Sequence, residues 1–313
     1  MLLPAGILQL QLHVEPMSTR PEVRAIGTAL REEWGSRAGI VELLSARTGW
    51  VSEFQAFAAI LQYVVPGDLP DREARALAGR TRAVYLPSVG ALANGALLAG
   101  ATRAPLRESM EQPALAAQAV LHLTHELAGH GALAENTAMG RSHERAARRK
   151  DAVSLACRCL PLAESLAAAD DAFGRESERW ATFAEGWSRW ITHRLRPRLA
   201  ARLPHLGEQL LSARPSLSQA AQDEQSRALI RRLAACGSSD PQAFAAAWRQ
   251  AVGPSPDARL IRASGLALFD ELEALGGPEA CLQAVHDCCS DADGIAPHLL
   301  ILQRVQERLS RVH

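Results

Sequence analysis

Three side chains in one short stretch, HELAGHG, have the types and spacing to do chemistry: His125, Glu126 and His130. Two imidazoles and a carboxylate are the donor set of a zinc site that carries its own general base. On an α-helix, residues four apart lie about 40° apart around the axis, so histidines at that spacing reach one ion. Five apart, they diverge by roughly 140°. The spacing of His125 and His130 therefore predicts a π-type turn, which returns both rings to one face. Gly129 and Gly131 flank the second histidine and suit a distorted turn. In that geometry His125 and His130 bind Zn2+ through neutral nitrogens. Glu126 then takes a proton from a metal-activated water that attacks a carbonyl. Without the wide turn, His122 is the alternative to His130, since it precedes His125 by three and shares its face.

A catalytic zinc needs a third protein ligand. Glu135, His143, Glu144, Glu176, Glu178 and Glu185 all follow the motif. Glu185, in TFAEGW, is favoured because Gly186 beside it permits close approach of two helices and Arg189 could hold its carboxylate. A hydrolytic site also wants a donor for a developing oxyanion. Tyr85, in the strand-like TRAVYL, and His193, eight residues beyond Glu185, are the candidates. Trp180, Trp187 and Trp190 form a helical stripe that reads first as core. The basic run Arg145, Arg148, Arg149 and Lys150 reads as a solvated helix face.

The elements that must position these groups are mostly helical. Alternation of Leu8, Leu10, Leu12 and Val14 with Gln9, Gln11 and His13 predicts a strand over 8–14, and a second strand is expected over 81–86. Helices are expected over 21–34, 36–47, 51–65, 113–134, 142–169, 175–199, 216–235, 241–252, 258–275, 278–289 and 297–312. The predicted class is mainly α with a small β-sheet. A weak boundary at the Pro66-Gly67-Asp68 break divides an N-terminal segment, 1–69, from a metal-binding catalytic domain, 70–313, although the whole could be one domain.

At 313 residues and 48% hydrophobic, the chain can bury a large core and is not disordered. Its 34 basic and 34 acidic residues cancel, which argues against a nucleic-acid partner. Lys150 is the only lysine. No apolar run is long enough to span a membrane, and the first residues lack the basic start of a secretory signal. The spacing of Cys157, Cys159, Cys236, Cys281, Cys288 and Cys289 does not suggest a disulfide framework, so a reduced, cytoplasmic protein is expected.

HELAGHG resembles the H-E-x-x-G-H signature of dipeptidyl peptidase III. Its pairing with the later Glu185-Gly186-Trp187 is similar to the tubulin-tyrosine carboxypeptidase-like metallopeptidases. The resemblance covers residues 122–189. It implies a zincin-like helical core of the gluzincin kind, with zinc held by His125, His130 and Glu185 and with Glu126 as base. It departs from the dipeptidyl peptidase pattern in lacking the paired glutamates of the second motif: Glu176 and Glu178 are split by Ser177, and Ala184 precedes Glu185. The expected function is a zinc-dependent peptidase acting on a peptide or small amide. The competing readings are a metalloenzyme of another class using the same ligands, and a metal-free helical interaction protein.

Overall fold

The computed structural model describes residues 14–16, 21–34, 48–51, 84–86, 91–93, 112–157, 163–212, 224–228, 230, 246, 250, 258–287, 301, 305 and 307. Of the residues described with their side chains, 98% are helical and none lies in a strand. The expected mainly α fold with a small β-sheet is therefore corrected to all-α. Among the described residues a backbone ladder of three- and four-residue strands lies outside that body: β1 (Val14–Pro16), β2 (Thr48–Val51), β3 (Val84–Leu86) and β4 (Ala91–Ala93). Their order is β1-β2-β4-β3, with Val14 opposite Val51 and Tyr85 opposite Leu92. Strands this short fall below the usual five or six residues, and none adds a described side chain to a core. Of the expected strand over 8–14 only Val14 is among the described residues, and of that over 81–86 only Val84–Leu86. The expected helix over 36–47 lies outside the described residues, as does all but Val51 of that over 51–65.

The chain divides into two compact units, each assembled from three stretches. The first comprises Met1–Ala132, Ala147–Asp170 and Thr192–Ala213. In it α1 (Pro21–Trp34) starts on a proline, whose missing N–H costs nothing at a helix start. Val23, Ile26, Ala29 and Leu30 are buried on one face. From its C-terminal turn, Glu33 accepts hydrogen bonds from Arg194 at 2.6 Å and from Arg198 at 2.9 Å. Glu32 pairs with Arg198 and Arg202. The arginines recur every four residues, so one helix face meets both glutamates. Helix α1 also packs on α2 (Pro113–Thr124) and on the turn that follows it. A 3-10 turn (Pro204–Leu206) and α6 (Gly207–Ser212) pack on α2 as well.

The second unit comprises Leu133–Ala146, Asp171–Ile191 and Arg214–His313. Thr137 separates α3 (Ala132–Asn136) from α4 (Ala138–Cys157) and caps the latter by accepting the Gly140 N–H at 2.9 Å. The central part of α5 (Ala163–Arg202) crosses α7 (Ala258–Asp287) at Gly186 and Gly265. The backbones are in contact there: a Cβ on Gly265 would overlap the Thr182 carbonyl, and one on Gly186 would overlap Gly265 itself. Around this crossing Phe269 is ringed by Phe183 at 5.5 Å, Trp190 at 6.0 Å and Trp187 at 6.1 Å. The Trp190 indole donates to Glu273 at 2.7 Å. Helix α7 breaks at Gly277, whose φ of 70° suits glycine alone, and resumes on Pro278. Among the described residues no helix is long and apolar enough to cross a membrane.

Candidate metal centre

The motif helix begins at Pro113 and buries Ala116, Ala117, Ala119, Val120 and Leu123 on one side. Up to Thr124 it is α-helical, and from His125 to Gly131 it is a π-helix. The predicted wide turn is thus present over the whole of HELAGHG. N–H groups at both ends are shared, and at the C-terminal end one of the acceptors is the carbonyl five residues back. The His125 N–H is shared between the carbonyls of Leu121 and His122, and the Ala132 N–H between those of Leu127 and Gly129. Leu127, Ala128, Gly129 and Gly131 are buried, so the small residues and Leu127 face the interior. His125, Glu126 and His130 sit at the half-buried edge.

The consequence for the two rings is direct. Their Nε2 atoms lie 3.2 Å apart, with ring planes at 78°. Zinc–imidazole bonds of 2.0–2.1 Å at a tetrahedral angle put two ligand nitrogens about 3.3 Å apart. The histidines already stand at the edge length of such a site. At 3.2 Å the nitrogens can share one proton, one ring donating and the other accepting, or share one ion. The donor atoms of His125, Glu126 and His130 all fall within 4.8 Å of one another. Among the described residues this is the group placed to hold a metal. The residues fit: neutral nitrogen and carboxylate oxygen suit a borderline divalent cation.

The other sequence candidates are placed as follows. Glu185 is half-buried on α5 in the second unit and is not a member of the group. Gly186 does serve a close helix approach, and its partner is Gly265. His193 is exposed on α5 and is outside the group. Tyr85 lies in β3, whose backbone runs against the π-helix, and its side chain is outside what is described. The side chains of Glu135, Glu144, Glu176 and Glu178 are likewise outside the described set. His143 stacks on Trp180 at 6.4 Å in the second unit. His122 is exposed and does not replace His130. The tryptophan stripe is core, with Trp187 fully buried. In the basic run Arg145 and Arg149 are exposed, whereas Lys150 is buried. Thr124, buried one residue ahead of the motif, was passed over in the sequence. Only its position at the turn's edge could have marked it.

No protein-family profile, no curated protein and no solved structure matches this chain. What stands without them is the cluster itself, His125, Glu126 and His130, close enough together to bind a metal ion.

Proposed function

We propose that the chain is a zinc-dependent hydrolase whose substrate bond is an amide, in a peptide or a small conjugate. The observation that carries this reading is the 3.2 Å separation of the two Nε2 atoms on a π-helix, with Glu126 beside them. A helix adopts a π turn at a cost, and such turns concentrate at functional sites. His125 and His130 would hold the ion as neutral ligands, each through Nε2. When bound, the ion supplies Lewis acidity and makes water nucleophilic at neutral pH. Glu126 accepts the proton from the attacking water and returns it to the leaving nitrogen. Its half-buried position keeps it within reach of substrate while limiting competing solvent. The likeness of HELAGHG to the H-E-x-x-x-H metallopeptidases favours peptides among amides. The cysteine spacing favours action in a reducing compartment such as the cytoplasm.

The test has three parts. Purified chain should carry one zinc, read by elemental analysis. Glu126→Gln should keep that zinc and lose about a hundredfold or more in turnover. A mixed peptide library digested by the zinc-loaded protein and read by mass spectrometry should show new termini that Glu126→Gln does not produce. A fully active Glu126→Gln variant overturns the assigned mechanism. A chain that takes up no zinc overturns the metal reading altogether.

A further inference from the structure

The Thr124 side chain is fully buried, and its hydroxyl donates to the Val120 carbonyl at 2.7 Å. It is the last α-helical residue before the π-helix. A threonine that bonds back to the carbonyl four residues earlier gives that oxygen a second donor, draws it outward and loosens and bends the local ladder. Here that turn lies directly ahead of His125, where the π-helix starts, and the His125 N–H itself still bonds only to carbonyls three and four residues back. The position at which a helix widens decides which residues share a face. If the wide turn moved away from the His125–His130 interval, ordinary α geometry would swing the second ring roughly 140° from the first. A valine would fill the same volume in the interior but donate nothing to Val120.

Resting on the metal reading above, we propose that Thr124 is a positioning residue for that site. Its hydroxyl pins the widening of the helix between Thr124 and His125, so that the imidazoles of His125 and His130 meet. The residue touches no ion or substrate; it acts through the backbone that carries both histidines.

Full-length Thr124→Val, Thr124→Cys and Thr124→Ser are compared with the parent chain. Zinc affinity is measured by chelator competition, Co2+ coordination by visible absorption, and folding by circular dichroism. Thr124→Val should stay folded and bind zinc roughly tenfold more weakly, with shifted Co2+ bands. Thr124→Ser, which keeps the donor, should return affinity and bands to within about threefold of the parent, and Thr124→Cys, a weak donor, should fall between. A purely structural threonine would lower the unfolding midpoint and leave the Co2+ spectrum of the folded fraction unchanged, which overturns the proposal. So does a Thr124→Ser variant as impaired as Thr124→Val. If Thr124→Val does not fold, the serine and cysteine variants decide by the same criteria. A parent chain that binds neither Zn2+ nor Co2+ overturns the metal reading and this proposal together. A parent that binds both, with Thr124→Val binding equally well, overturns this proposal alone.

Discussion

In the first unit a helix widens so that two polar rings meet at its edge; in the second, two helices press to backbone contact so that aromatic rings can surround Phe269. Both regions use small residues, to opposite ends. Around HELAGHG the alanines of α2 and the glycines of the turn let the helix change its pitch. At the α5–α7 crossing Gly186 and Gly265 remove the side chains that would hold regular helices apart. The first arrangement trades ladder regularity for the close approach of two imidazoles and a carboxylate. The second keeps regular ladders and gains buried aromatic area, which is the larger source of stability.

If that contrast is right, the two regions should respond differently to substitution. The largest effect is expected at His130→Ala, which should abolish zinc uptake, a loss beyond about a thousandfold in affinity. It should move metal-free stability by no more than about 1 kcal/mol, since the ring is only half-buried. Calorimetric titration and urea unfolding read the two quantities. A variant that unfolds would make His130 a core residue and erase the contrast. Next comes Gly265→Val, whose Cβ has no room against the Thr182 carbonyl. It should cost about 3 kcal/mol in urea unfolding, at the upper end of overpacking, and a loss below 1 kcal/mol would show that the crossing can open.

Trp190→Phe keeps an aromatic ring, though a smaller one, and removes the indole N–H that donates to Glu273. It should cost about 1.5 kcal/mol, as for a hydrogen bond to a charged partner. Thermal unfolding without change there would leave the aromatic packing as the sole contribution. The smallest effect is expected at Glu33→Gln, which withdraws charge from Arg194 and Arg198. Because both arginines are substantially exposed, the loss should be about 0.5 to 1 kcal/mol and should shrink further in 1 M salt.

The π-helix was legible because only a widened turn brings two histidines five residues apart to one face. The break in α7 was legible too, since Gly277-Pro278 cannot continue a regular ladder. The expected interruption between 169 and 175 was not found: α5 runs on through Gly174, which lies in open space. The roughly 1 kcal/mol cost of one helical glycine is small against the long helical segments on either side. The small β-sheet failed for a different reason. Alternating apolar residues report that one side of a strand could be buried, not that a core awaits it. Spacing along the chain could suggest Glu185 as a ligand, but it carries no distance between segments far apart in sequence. Thr124 escaped notice because its role depends on where a ladder changes step, which no residue type announces.

The burial of Lys150, at 4% exposure, has a practical corollary. It is the only lysine in the sequence, so a lysine-specific endoproteinase has a single bond to cut. That bond becomes a substrate only after the side chain leaves the interior and its stretch of α4 comes undone. The rate of this one scission therefore gauges how often that helix opens under native conditions. Repeating the digestion with and without zinc would show whether an ion at His125, Glu126 and His130 quiets that opening.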